Sequence, residues 1–513
     1  MKPIHETNYV RQLDTDLQQS KGYPSHTLME IAGLQIAQDL KKRYTGRSFC
    51  ICVGGSNNGG DGLVIARWLA LWQEQVSVVL VQHPKTKDCI TNYNLLPSSI
   101  SIVDMSQTIH PSSMPKAEIY VDAILGTGQS GVLKQHTSEF IDLLQHTVHN
   151  HPSTILISID VPSGYHPTTC ANLHPAMQNS KQSVELQVGL RPNICYSIGQ
   201  LQPIAFHSIL ALEVREIDIG LHPQYIYESI HTNHPVGYLL EEQDILQNLP
   251  HHKNHVAKWD KGHVVIMAKK GAAILAAKAA LCTGVGLVSI ACPKEEWVYL
   301  SSLPPEVQLI EYHQINPNRH NAIICGPNFG FADIETQIFL KLWNTFPHPM
   351  LADADAIHLL AKHREQISPS KTNRILTPHI AEASALLQTS IFAIQQTPYI
   401  HLEKLQQWGL CLLKGAYTKI SHHPFYIVPF ASNKLAFAGS GDILSGLIGG
   451  YLAQQITPLS ALQMATYIHA YAGIQLPSPY SASTYLAHLP TIYGKLHHQQ
   501  NNHGLPHNTQ NSE

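Results

Sequence analysis

Charged side chains are scarce in this chain. Asp, Glu, Lys and Arg make up 13% of its 513 residues, against the ~25% usual in soluble proteins. Its 33 basic and 36 acidic residues leave a net charge of −3. That balance excludes the basic footprint of a nucleic-acid binder and the polybasic patch of a membrane-surface protein. Cysteine offers no framework either: the nine copies are an odd number and no CxxC occurs. Several of them (Cys50, Cys52, Cys325, Cys411) sit inside apolar strand-like runs. Free buried thiols in a reducing compartment fit better than disulfides or a zinc site. The first residues, MKPIHETNYVRQLDTDLQQ, lack an apolar h-region, so no signal peptide is expected. The most apolar stretch, residues 272–292, is punctuated by Lys278, Thr283, Gly284 and Gly286. It reads as a buried helix running into a strand and not as a membrane span. A cytoplasmic protein is expected.

What the chain does have is apolar material: 44% of its residues are hydrophobic, enough for a sizeable core. Histidine is abundant, with 33 copies, and would add positive charge below about pH 6.5. Short β-rich runs at 49–55, 76–82, 119–126 and 155–160 alternate with helical stretches. The pattern resumes at 263–268, 287–291, 321–326 and 410–415, and it predicts an α/β fold with parallel sheets in two domains. The expected boundaries are a first domain over 1–222, a weakly patterned linker over 223–235 and a second domain over 236–498. The tail 499–513 lacks apolar content and is expected to be disordered. A final helical block is predicted from Asp442 onward past His469.

Three strand ends in the first half carry polar, glycine-rich turns. VGGSNNGGDGLVIARWLA (53–70) follows a strand and opens a helix predicted to be amphipathic. Its glycines let backbone N–H groups approach an anion, and Asn57, Asn58 and Asp61 add side-chain donors and acceptors. Asp122 with the Gly126-Thr127-Gly128 loop, and Asp160 with Ser163, end two further strands. In an open parallel sheet, ligands bind outside the carboxyl ends of the strands. Oxygen ligands of this kind suit a hard cation. Asp160 is the best candidate for acid–base work, set against service as a helix N-cap or an ion ligand.

In the second half, NKLAFAGSGDILSGLIGG (433–450) puts Gly439, Ser440 and Gly441 at the start of an apolar helix with Asp442 in its first turn. A carboxylate beside such an anion hole is what phosphoryl transfer to a hydroxyl requires. LLKGAYTKI (412–420) ends a strand with a lysine suited to nucleotide phosphates. His379 and Glu382 stand where a loop enters a helix, as site groups or as a cap. Asp353 and Asp355 are open to the same two readings. His469, in a late apolar helix, reads as a core histidine.

On these motifs the first half resembles the NAD(P)H-hydrate epimerase domain of bifunctional nicotinamide nucleotide repair enzymes: LMEIAG (28–33), GGSNNGGDG (54–62), DAILGTG (122–128) and DVPSG (160–164) carry the likeness. The second half resembles the ADP/ATP-dependent NAD(P)H-hydrate dehydratase domain, a ribokinase-like fold, through GPNFG (326–330), DADA (353–356), TPHIAE (377–382), KGAYT (414–418) and GSGD (439–442). The resemblance implies a Rossmann-like parallel-sheet sandwich followed by a ribokinase-like domain. It implies hydrate contacts in the first domain at Asn57, Asn58, Gly59, Gly60, Asp61, Gly126, Thr127, Gly128, Gln129, Ser130, Gly131, Val132 and Asp160, and K+ held by Asn58, Asp122 and Ser163. In the second domain it implies hydrate contacts at Ala272, Asn328, His379 and Asp442, and nucleotide contacts at Lys414, Gly415, Ala416, Tyr417, Thr418 and Gly441. Asp160 and Asp442 are then the catalytic carboxylates, and Mg2+ accompanies ADP or ATP. NADHX, NADPHX and the adenine nucleotide are the implied small-molecule partners of a homo-oligomer, with no nucleic acid and no membrane.

The chain also departs from the family pattern. Ser56 and Asn328 replace glycines, Ile380-Ala381 replaces Pro-Gly, and residues 165–220 are hard to align. In VVIMAKKGAAILAA (264–277) the family's glycine-rich loop is missing or shortened, so weak hydrate binding with a raised KM is expected. Two other readings use the same residues: a ribokinase-like small-molecule kinase fused to a nucleotide-binding module, and a non-enzymatic first domain that scaffolds the second. The NNGGD segment argues against the kinase, and Asp160 with its neighbouring oxygen ligands argues against the scaffold.

Overall fold

The computed structural model describes residues 1–20, 22–175, 189–208, 210, 213–220, 235–250, 255–368 and 373–502. Nearly all of the expected linker and residues 503–513 of the expected tail lie outside the described residues. So does the centre of the segment that is hard to align. Two compact units are present. One comprises Pro3–Gly237 with Gln396–Pro398; the other comprises Met1–Lys2, Tyr238–Gln395 and Tyr399–Glu513.

The first unit is built on a seven-stranded sheet. Its strands are β1 (Ser48–Val53), β2 (Gln75–Leu80), β3 (Ser101–Asp104), β4 (Ile119–Ala123), β5 (Ile155–Ile159), β6 (Ile194–Ile198) and β7 (Glu213–Ile217). They run in the order β3-β2-β1-β4-β5-β6-β7, and every neighbouring pair is parallel. This is the doubly wound order, whose direction reverses between β1 and β4, where ligands bind. The register aligns Cys52 with Asp122 and Asp122 with Ser158, which puts the carboxyl ends of β1, β4 and β5 side by side. Strands covered on both faces read as unbroken apolar runs, as SFCICV does in β1, buried from Phe49 onward. The helix after β1, Asn57–Leu71, differs from the amphipathic expectation. It is buried almost all round, because the Ser25–Tyr44 and Lys87–Asn94 helices pack on it as well as the sheet.

The second unit has β8 (His263–Met267), β9 (Leu287–Ala291), β10 (Gln308–Ile310), β11 (Ala322–Cys325), β12 (Met350–Ala352), β13 (Arg374–Leu376), β14 (Leu410–Leu413), β15 (Lys419–Ile420) and β16 (Phe425–Ile427). Their order is β16-β15-β14-β13-β12-β11-β8-β9-β10. The pairs from β14 to β10 are parallel, and β14-β15-β16 form an antiparallel edge. The apolar stretch 272–292 is the expected helix and strand, Lys270–Cys282 and then β9. The predicted final helical block is two helices, Ser440–Ala453 and Pro458–Gln475. Thr457 ends the connection by accepting the Ser460 N–H, with Pro458 in the first turn, where its missing N–H costs nothing.

The expected tail begins too early. Helix Ala482–Asn502 reaches into its first four residues, where Gln500 is buried and donates its amide to the Leu246 carbonyl at 2.9 Å. No helix among the described residues is long and apolar enough to cross a membrane.

Candidate active sites

At the switch point of the first unit lies a cavity of about 600 Å³. Asn57, Asn58 and Asp61 line it from the helix after β1, Gly126–Gln129 from the loop after β4, and Asp160 from the end of β5. Other expected contacts turn elsewhere. A Cβ on Gly59 would collide with the Gly54 carbonyl, and one on Gly60 would lie 2.6 Å from Met29 Sδ. These two glycines permit close packing and do not line the cavity. Ser130, Gly131 and Val132 are exposed outside it.

Asp160 caps no helix. It sits at φ 64, a conformation uncommon for a side-chain-bearing residue, and its N–H donates to the Tyr196 carbonyl at 2.7 Å. One carboxylate oxygen accepts the Thr127 N–H at 3.2 Å and the other the Gln202 amide at 3.4 Å. Burial, reinforced by the charge of Asp14, raises its pKa to about 7, against the pull of the Thr127 and Ile198 N–H groups and Arg11. Asp61 is also pushed well above the carboxylate range, by burial and then by Asp160 and Asp14.

The expected cation ligands are adjacent. Fully buried Asp122 accepts the Ser163 hydroxyl at 2.6 Å, the Ser163 N–H at 2.9 Å and the Ser158 hydroxyl at 2.8 Å. Burial still raises its pKa despite these donors. Asn58 donates its amide to the Leu125 carbonyl at 2.9 Å, while its buried Oδ1 has no donor. An unspent buried oxygen acceptor of this kind fits a hard cation.

Arg11, Asp14, Thr15 and Gln18 of helix Thr7–Ser20 also face the cavity and were not anticipated. Their i, i+3, i+4, i+7 spacing was the available signal, but a polar helical stripe reads as a solvated face.

In the second unit Gly439, at φ 95, precedes helix Ser440–Ala453, a turn that glycine makes without strain. Asp442 lies in the first turn of that helix. Burial, then Asp353, raises its pKa to about 6, and Lys414 opposes the rise. Lys414 does not stand free for phosphate: its Nζ is 2.5 Å from Asp353 Oδ1. It is nonetheless at the helix mouth, 3.6 Å from where a Gly441 Cβ would be. Asp353, at the end of β12, also accepts the Ser445 hydroxyl at 2.6 Å, and its side chain does not cap the helix that follows.

His379 is a cap. Its Nδ1 accepts the Ala381 and Glu382 N–H groups at 3.1 and 3.3 Å, and its N–H donates to Glu382 at 2.8 Å. Its Nε2 lies 3.2 Å from Glu382 Oε1. Burial raises the Glu382 pKa, with Lys414 opposing and Asp353 adding, so the cap borders the Asp353–Lys414 pair.

Of the expected nucleotide residues, Gly415 and Thr418 close a turn through the Thr418 hydroxyl and the Gly415 carbonyl at 2.9 Å. Ala416 is half-buried within that turn. Tyr417 is buried, and its carbonyl takes the Lys419 ammonium at 3.1 Å. Asn328 lies beside Lys269, and Ala272 is in the first turn of the Lys270–Cys282 helix. Asn328 donates to the Lys269 carbonyl at 3.4 Å, and Lys269 Nζ pairs with buried Glu335 at 2.8 Å. His469 is buried, its Nε2 3.3 Å from the Ser440 hydroxyl, and desolvation lowers its pKa to about 4.

Comparison with known proteins matches this division. The model for the YjeF-related protein N-terminus covers residues 25–190, and that for NAD(P)H-hydrate dehydratase covers residues 266–493. The bifunctional NAD(P)H-hydrate repair enzyme Nnr of Synechocystis sp. is 30% identical over 485 residues, spanning 89% of this chain and 87% of the relative. The chain belongs to the bifunctional NAD(P)H-hydrate repair enzyme family. The Coxiella burnetii member is 28% identical over 499 residues, covering 92% of this chain and 94% of its own. Among solved structures, a Bacillus subtilis ADP/ATP-dependent NAD(P)H-hydrate dehydratase co-crystallised with ATP/Mg2+ is 23% identical, covering 50% of this chain and 97% of that one, with a TM-score of 0.44. In this chain the connection between β8 and the following helix is two residues long, Ala268-Lys269.

Proposed function

We propose that the first unit epimerises R and S NAD(P)H hydrates and that the second dehydrates the S form to NAD(P)H at the expense of ADP or ATP. The domain spans are 1–222 and 236–498. The observation that carries the reading is the coexistence in one chain of the Asp160 cavity at a β1/β4 switch point and of Asp442 at a glycine-turn helix mouth. A kinase reading would use the second and leave the first without work.

In the first unit, epimerisation needs the ring C–O bond to break and re-form on the other face, with the ring nitrogen supporting the intervening cation. Asp160, poised to about 7, can give a proton to the departing hydroxyl and then stabilise the cation with its charge. K+ would be held by Asn58 Oδ1 with Asp122 and Ser163 behind it, supplying charge that fixes the strand-end loops. In the second unit, Asp442 takes the proton of the substrate hydroxyl as its oxygen attacks the terminal phosphorus of the nucleotide. Backbone N–H groups at Gly439–Gly441 face the phosphates, which bring Mg2+ with them. The C–O bond then breaks with its electron pair leaving on phosphate, the ring nitrogen supports the cation, and loss of a proton from the adjacent ring carbon to water restores the ring double bond. The nine free cysteines, eight of them buried, support a cytoplasmic setting. A homo-oligomeric enzyme without nucleic-acid or membrane partners completes the proposal.

The test supplies mixed R and S hydrates with ADP and follows reduced-nicotinamide absorbance. Full recovery requires both activities. Recovery that stops at the S fraction removes the epimerase, and no recovery removes the whole reading.

A further inference from the structure

One wall of the epimerase cavity lies outside the matched family region, which begins at residue 25. Helix Thr7–Ser20 supplies that wall, with Arg11 and Asp14 on the stripe that faces Asp61 and Asp160. Asp14 is half-buried and makes no hydrogen bond or ion pair among the described residues. A carboxyl placed so costs the fold stability and returns nothing to it. Burial alone raises its pKa to about 6. Its charge acts in turn on Asp160 and Asp61. The cavity carries an independent mark of a ligand site: Asn58, 6% exposed, lines it with an acceptor that has no donor.

We propose that Asp14 is the second catalytic carboxyl group of the epimerase site, working with Asp160 across the hydrate ring. The inference rests on the epimerase reading above. One carboxyl, protonated, gives its proton to the hydroxyl oxygen. The C–O bond breaks, water leaves with the electron pair, and the ring nitrogen lone pair forms the C=N bond. The other, ionised, takes a proton from a water molecule whose oxygen forms the new C–O bond on the opposite face. One proton is given and one taken, so the pair ends with its roles exchanged and serves the reverse direction equally. Neighbouring carboxyl groups favour one shared proton. The other titratable groups acting on the pair are Arg11 on the same helix, Asp61 on the Asn57–Leu71 helix, and the Cys195 thiol on β6.

The test uses the full chain without nucleotide, following interconversion of purified R and S hydrates. Asp14→Asn is expected to lower kcat about 10²-fold or more, with KM within about threefold. It should also remove one limb of the pH profile, while Asp14→Glu restores part of the rate. Dehydration of pure S hydrate with ADP and the melting temperature should not fall. A kcat within a few-fold of wild type, a loss confined to KM, or a lost melting transition of the first unit each overturns the proposal. If the wild-type chain itself does not interconvert the hydrates, the epimerase reading fails and this inference fails with it.

Discussion

Single carboxylates carry the sharpest predictions. Asp160→Asn should lower epimerisation on the order of 10²-fold and leave dehydration of pure S hydrate unchanged, measured on the same protein. Because folding raises the Asp160 pKa to about 7, its protonated form is the one the fold prefers. Its favourable contribution is full below the unfolded value near 4 and is lost as pH rises through about 7. Asp160→Asn should therefore raise the melting temperature of the first unit at pH 8 relative to wild type, and scanning calorimetry at pH 5 and pH 8 checks the sign. Asp442→Asn should lower ADP-dependent dehydration by about 10²–10⁴-fold while calorimetry finds nucleotide binding retained, since the glycine-turn amides are untouched. With the Asp442 pKa raised to about 6, wild-type dehydration should rise with pH through that value as the base deprotonates. These two residues were recognisable because Asp160 ends an apolar strand run and Asp442 opens an apolar helix behind a glycine turn. Asp14 was not, because a polar stripe on a helix looks the same whether it faces water or a cavity.

Two elements decide how well the sites work. The connection between β8 and the Lys270–Cys282 helix holds only Ala268 and Lys269, too few to cover bound substrate. A high KM for S hydrate follows, and inserting a glycine-rich loop there should lower it while kcat for dehydration changes little. The helix after β1 is the opposite case, tightly enclosed. Gly59→Ala would drive a Cβ into the Gly54 carbonyl, and backbone cannot yield as a side-chain tip can. A loss of about 1–3 kcal/mol is expected, seen as a lower denaturation midpoint of the first unit. The glycines of NNGGD were legible as a close approach, and the atoms a Cβ on Gly59 or Gly60 would meet are the Gly54 carbonyl and the Met29 side chain.

At the scale of the whole molecule, the hydrophobic clusters divide between the two halves of the chain: two draw only on residues 13–219 and two only on residues 240–496. Each core can unfold on its own account. Calorimetry of the full chain should show two transitions, and ADP with Mg2+ should raise only one of them, by about 2.7 kcal/mol of stabilisation at a hundredfold excess over Kd. Asp160→Asn should move the other. A single transition shifted as a unit by nucleotide would contradict this.

The sequence by itself determined the α/β class, the alternating strands and the strand-end turns at β1, β4, β5 and β14, and it pointed to the two aspartates proposed as catalytic. These are local signals: apolar runs, glycine at sharp turns, and polar residues where a strand stops. Only the tertiary structure decided which groups meet. Lys414 is paired with Asp353 across the order β14-β13-β12, Asn58 keeps an acceptor free beside a cavity, and helix Thr7–Ser20 closes the wall of that cavity. Such contacts join residues far apart in the chain, and the burial that raises Asp14, Asp160 and Asp442 comes from every element around them at once. No window of sequence contains that information.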